Sequence, residues 1–158
     1  MVATLVPIQA QQQGSWQAFP AYYDVTRIVE GGGRVWVLAS GNVMSYDVNT
    51  GESTSYTKGS PLSDANIADI NYNATVRALL VLYSNGNIDI LHTDGSVVNV
   101  SDYYNKAMTE DKTVTNIVMA GRHAYLTTMF GIIKLNMARG EIDDTYNMGT
   151  QVNDCLLY

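Results

Sequence analysis

Apolar residues in this chain fall in short runs separated by turn formers. The first stretch reads "TRIVEG" and "RVWVLAS" on either side of Gly31-Gly32-Gly33, then "NVMSYD" and "STSYTK" around Asn49-Thr50-Gly51. The next gives "IADINYN", "RALLVLYS", "NIDILHT" and "VVNVSDYY", with Ser84-Asn85-Gly86-Asn87 and Thr93-Asp94-Gly95-Ser96 between runs. A third gives "NIVMAG", "HAYLTTM", "GIIKLNM" and "EIDDTYNM", with a turn at Ala138-Arg139-Gly140. Short runs rich in Val, Ile, Thr and Tyr, bounded by Gly, Asn and Asp, predict strands rather than helices. Asn-Gly and Asp-Gly between such runs predict type I′ hairpins, whose two central residues both need positive φ. The helical signal is confined to "SDYYNKAMTEDK", Ser101 to Lys112, enough for a turn or two with Ser101 as N-cap. Pro7, Pro20 and Pro61 all lie outside the predicted strand interiors, as a residue that cannot donate to a ladder should.

The pattern also repeats. "VTRIVEGGGRVWVLASGNVMSYD" from Val25 returns without a gap as "VTNIVMAGRHAYLTTMFGIIKLN" from Val114. Val25-Thr-Arg-Ile28, Ile67-Ala-Asp-Ile70, Val114-Thr-Asn-Ile117 and Val152-Asn-Asp-Cys155 share one shape, two apolar residues around two polar ones, at spacings of 42, 47 and 38 residues. Periods of about 40 to 50 residues with four strands per unit are those of propeller blades. A four-stranded antiparallel sheet cannot bury both faces alone, and stacking copies around an axis hides them against each other. The expected fold is therefore all-β, a partial β-propeller of about three four-stranded antiparallel blades plus the first strand of a fourth. "RVWVLAS", "RALLVLYS" and "HAYLTTM" are the expected inner strands, and the more polar "STSYTK" and "EIDDTY" the outer ones.

Along the chain this divides into a lead-in at 11–24 and blades at 25–64, 65–112 (with an insertion near 101–112) and 113–151. Residues 152–158 would be the first strand of a truncated next blade. A closed ring takes about four to eight blades. The expected partners therefore include the remaining blades of a larger propeller, and the isolated chain is expected to oligomerise through its uncovered blade faces.

Composition narrows the function classes. Of 158 residues, 46% are hydrophobic and only 15% charged, and eleven Tyr against two Phe suit strands better than helices. A net charge of −6 leaves no basic stripe to neutralise phosphates, so nucleic acid is not an expected partner. Cys155 is the single cysteine, so no internal disulfide can form. Residues 1–10, "MVATLVPIQA", resemble the back half of a secretory signal, apolar and ending in a small residue, although the basic start is missing. An ordinary N-terminal strand is the alternative. No run approaches the roughly 18 apolar residues of a membrane span. The chain is thus expected to be extracytoplasmic, in the periplasm or at the cell surface.

Little in the sequence converges on chemistry. His92 and His123 fall in different blades without Cys or Glu at ligand spacing, so no metal is expected. Glu141 and Asp143 belong to an outer strand, and neighbouring Asp143 and Asp144 should point to opposite faces. Gly31-Gly32-Gly33 precedes no helix and lacks a Lys-Ser/Thr ending, so it is not a phosphate loop. No catalytic residue and no cofactor site is expected. Candidate ligand contacts are Arg27, Asp69, Asn116 and Asp154, which occupy one repeated position in the first strands and would ring a central channel. Solvation and blade-to-blade hydrogen bonding are the competing roles for that ring. Tyr22, Tyr23, Tyr103 and Tyr104 flank strands, where they are freer to stack on a ligand than Trp36 and Tyr125, whose repeated strand position indicates packing.

"GSWQAFPAYYDVTRI", "GGRVWVLASGNVMSYD", "SPLSDANIADINYN", "LLVLYSNGNIDIL" and "AYLTTMFGIIKLNMARGEIDDTYNMG" resemble the N-terminal β-propeller of PorZ-type proteins of Bacteroidetes, a group similar to two-component regulator propellers. The resemblance runs from about Gln13 to Tyr158 and is most specific at Leu82 to Asp89 and Phe130-Gly131-Ile132. It implies an extracytoplasmic protein of the type IX secretion system's surface-attachment machinery, with a protein, glycan or lipopolysaccharide partner. It implies no catalytic residues. The expected function is a non-enzymatic binding or scaffold module. The alternatives are a ligand-sensing periplasmic propeller of a two-component regulator and a fragment of a propeller glycoside hydrolase or lyase.

Overall fold

A computed structural model describes residues 22–109 and 111–148. The signal-like segment 1–10, most of the lead-in and the strand expected at 152–158, with Asp154, lie outside the described residues. The first sheet comprises β1 (Val25–Gly31), β2 (Arg34–Ala39), β3 (Asn42–Asp47), β4 (Ser53–Lys58) and a two-residue β5 (Pro61–Leu62). The second contains β6 (Ile67–Asn73), β7 (Ala78–Tyr83), β8 (Ile88–His92) and β9 (Val97–Val100). After a single helical turn, α1 (Asp102–Asn105), the third comprises β10 (Val114–Ala120), β11 (His123–Thr128), β12 (Gly131–Asn136) and β13 (Glu141–Asn147). Each sheet is an antiparallel meander in chain order, and only β5 runs parallel to its neighbour. β5 was not foreseen, and Pro61 opens it at the sheet edge, where its missing N–H breaks no ladder.

The turn chemistry differs from expectation. Positive φ occurs at Gly86 (85°) and Gly95 (89°), with neither Asn85 nor Asp94 in that region. Gly86 N–H donates to Tyr83 O and Tyr83 N–H to Asn87 O, giving a three-residue loop in which one left-handed glycine suffices. The Asn85 and Asp94 side chains explain this, because each accepts the N–H two residues on and so holds its own backbone on the right-handed side. Pairs of positive φ, the type I′ signature, lie instead at Gly32-Gly33 (65°, 75°) and Ser40-Gly41 (50°, 71°).

Two apolar cores separate the three sheets. Trp36, Leu38, Val43 and Tyr56 of the first sheet meet Ile70, Leu79, Val81, Tyr83 and Leu91 of the second. Ala78, Leu80, Leu82, Ile88 and Ile90, on the other face of the second sheet, meet Ile117, Ala124, Leu126, Ile133 and Leu135 of the third. Alternate residues of β7 therefore serve opposite cores, and all six are buried. A strand covered on both sides reads as an unbroken apolar run, which is why "RALLVLYS" shows no alternation. Gly31 fits the same packing, since a Cβ there would lie 2.0 Å from the Tyr72 ring of the second sheet.

Candidate functional site

β6 lies alongside both β1 and β10, so the three first strands form the hub and the later strands fan outward. Each hub strand has the same irregularity. Register slips by one residue at Thr26, Ala68 and Thr115, the second position of the repeated four-residue step. The Thr26 and Thr115 hydroxyls donate to Leu38 O and Thr127 O across the bulge. Each bulge sits immediately before the third residue of the step, which is Arg27, Asp69 or Asn116.

At that position the structure joins blades. Arg27 Nε and Nη2 donate to Asp69 Oδ1 and Oδ2, both at 2.8 Å, a bidentate pair between equivalent residues of neighbouring sheets. The hydrogen-bonded Asp69 carboxylate raises the Arg27 pKa further above its ordinary value. Two residues further along β6, Asn71 Nδ2 donates to Ile117 O at 3.0 Å and links the second sheet to the third. Asn116 Oδ1 accepts the Ile117 N–H. The predicted ring thus brings Arg27 and Asp69 together.

The four tyrosines differ in placement. Tyr23 is 84% exposed and Tyr104 47%, as surfaces for stacking require. Tyr22 is half-buried, with its hydroxyl covered and unpartnered. Tyr103 corrects the expectation that it is free: it is 1% exposed and packs in the core between the second and third sheets, its ring 6.2 Å from Phe130. Its hydroxyl also lacks a partner, and burial, with the Asp111 charge adding to it, pushes the phenol up to about 12. Of the residues expected only to pack, Trp36 is fully buried and donates to Gly31 O.

Asp143 is a second correction. Lys134 pairs with Asp144 but Leu135 with Ile142, so Asp143 is the extra residue of a bulge. Strict alternation fails there. Asp143 turns to the face that carries Lys134 and meets His123 Nε2 at 2.9 Å, Asn136 Nδ2 at 3.2 Å and Arg139. Burial works against its charge, but the hydrogen bonds from His123, Arg139 and Asn136 prevail and lower its pKa.

Sequence reasoning flagged the insertion near 101–112 but not what it does. α1 and the residues after it lean on the β12–β13 edge and leave a groove of two adjoining lobes. One, of about 420 Å³, is lined by Asp102, Tyr103, Lys106, Phe130, Ile133 and Ile142 among others. The other, of about 510 Å³, shares Lys106, Phe130 and Thr145 with it. No run of the sequence marks this groove, because its walls come from segments some 30 residues apart. Among the described residues, no group of three or more His, Cys, Asp or Glu is placed to hold a metal ion. None of the described helices is long and apolar enough to cross a membrane.

Four-stranded meanders, stacked face to face with their first strands at a common hub, define a β-propeller. The chain belongs to the PorZ N-terminal β-propeller family: the profile described as "TSS9, PorZ, N-terminal beta-propeller domain" matches residues 35–158. It is similar to PorZ of Porphyromonas gingivalis, described as an essential bacterial surface component of the type-IX secretion system, at 32% identity and a TM-score of 0.81 over 87% of this chain. The chain spans 19% of that PorZ chain. The extracellular domain of BT4673 from B. thetaiotaomicron, a putative one-component system, aligns at 14% identity and a TM-score of 0.59, over 89% of this chain and 19% of its own. AztD from Citrobacter koseri aligns at 10% and 0.59, over 80% of this chain and 34% of its own. These last two share the fold alone. No curated protein matches the chain by sequence.

Proposed function

We propose that this chain is the propeller portion of a non-enzymatic surface scaffold that serves type IX secretion, binding a protein or glycan partner at the cell surface. The observation that carries this is the 32% identity to P. gingivalis PorZ at a TM-score of 0.81, sustained over 87% of the chain. Supporting it, the polar groups that gather at the hub and on the third sheet are taken up in bonds between blades and within one. Arg27 is paired to Asp69 and Asp143 to His123 and Arg139, an arrangement suited to rigidity rather than to proton transfer.

A chimera tests the proposal. The blades of this chain replace the corresponding blades of PorZ in a P. gingivalis strain lacking its own copy, and surface attachment of secreted cargo is followed. Restored attachment is the expected result. A chimera that folds and reaches the surface, yet leaves cargo unattached, would refute the assignment.

A further inference from the structure

The groove between α1 and the β12–β13 edge opens onto the margin of the core between the second and third sheets, and carries two charged side chains that blade packing does not use. Each lobe falls within the ~300–1,000 Å³ of small-molecule pockets. Phe130, Ile133 and Ile142 supply an apolar wall to the first lobe, and Asp102 and Lys106 supply two opposite charges to the same lobe. The two are four residues apart, the spacing at which a helical acid and base normally pair. Neither forms an ion pair among the described residues. α1 ends at Asn105, and Lys106 caps it, its N–H bonded to Asp102 O and the chain beyond it extended (ψ 119°). The Lys106 ammonium sits instead 6.0 Å from the centre of the Phe130 ring. An acid and a base are thus held apart on the rim of an apolar hollow.

We propose that this groove binds a free α-amino acid with an apolar or aromatic side chain. Lys106 takes the carboxylate, Asp102 the ammonium, and Phe130, Ile133 and Ile142 receive the side chain. A simple anion would leave its charge facing Asp102, and a simple cation would face Lys106. A zwitterion meets both. The inference stands apart from the scaffold function, because it rests only on the insertion and the third sheet.

The test uses fluorine NMR on the full chain with 4-fluorophenylalanine as probe, beside 4-fluorophenylacetate, which lacks the ammonium, and 4-fluorophenethylamine, which lacks the carboxylate. Asp102 and Lys106 are both exposed, so Asp102→Asn and Lys106→Gln leave the fold intact. The amino acid is expected to bind, and to weaken about fivefold in each variant, as loss of one solvent-exposed charge contact should produce. The two truncated probes are expected to bind the unaltered chain weaker by a similar factor. Absence of binding by 4-fluorophenylalanine, equal affinity for 4-fluorophenylacetate, or binding untouched by both substitutions would each overturn the proposal.

Discussion

Asp89 has no solvent contact, and three donors hold it: the Tyr83 hydroxyl at 2.5 Å, Ser63 N–H at 2.8 Å and Asn99 Nδ2 at 2.8 Å. Ser63 follows β5, so this carboxylate also ties the end of the first sheet to the second. Burial, then the bond to Asp89, raises the Tyr83 pKa, so the phenol remains a donor across the ordinary pH range. Tyr83→Phe keeps the ring but removes one of the three donors, and should destabilise by about 1–3 kcal/mol in urea unfolding. Asp64 works at the surface. The Ala65 N–H, then Lys58 and Asn85, lower its carboxyl pKa to about 2. A depressed pKa adds stability that is complete above the unfolded value of about 3.9 and is lost as pH falls toward 2. Asp64→Asn should therefore lower Tm modestly at pH 7 and flatten its dependence on pH between about 4 and 2, the two proteins converging near pH 2. Residue identity alone announced the hub, since Arg27 and Asp69 stand at one repeated position, but neither the depth of Asp89 nor the cover over Tyr103 is written locally. Both arise from segments that meet only after the sheets stack.

Among the elements, the three hub bulges were invisible for a plain reason. A bulge changes neither composition nor run length, only which residue faces which partner. Thr26 and Thr115 use their hydroxyls across it, whereas Ala68 has none to offer. Thr115→Ala should cost about 0.5–1.5 kcal/mol, and Ala68→Thr, at an exposed position, should recover part of a similar amount in the second sheet. Denaturant midpoints of the two single variants decide this. Gly131 opens β12 so close to its neighbour that a Cβ would lie 1.9 Å from Tyr146 O. Gly131→Ala must push β13 away and should destabilise by more than about 2 kcal/mol. Strand existence was legible apart from β5, because every predicted run within the described residues became a strand. The hairpin type was not, because Asn85 and Asp94 satisfy their turns with side chains that the Asn-Gly and Asp-Gly rule leaves out of account.

At the scale of the whole molecule, among the described residues, the middle sheet is covered on both faces and the outer two on one each. The uncovered face of the first sheet is apolar: Val35 and Val37 of β2 alternate with buried Trp36 and Leu38, Met44 and Tyr46 lie opposite them, and Ile28 is 63% exposed. That of the third is mixed, with His123, Lys134, Asn136, Asp143 and Asp144 beside Tyr125, Ile132 and Tyr146. The first sheet's face is the richer in apolar side chains, so the chain isolated from other blades should self-associate more through it than through the third. Light scattering should show oligomers, and Ile28→Lys with Val37→Glu should shift them toward monomer. A monodisperse unaltered chain would contradict this. The stacking was legible from the repeat, but the difference between the two end faces was not, since both strand sets alternate and only the register shows which side each residue takes.

One consequence follows from β7 lying between two cores. Alignment of a strand is normally policed by water, because sliding it one step exposes grease and hides charge. Here Leu79-Val81 and Leu80-Leu82 would merely trade places, oil for oil, and solvent would scarcely notice. The grip of Asp89 on the Tyr83 hydroxyl therefore acts as a registration pin, telling an otherwise indifferent strand where to stop.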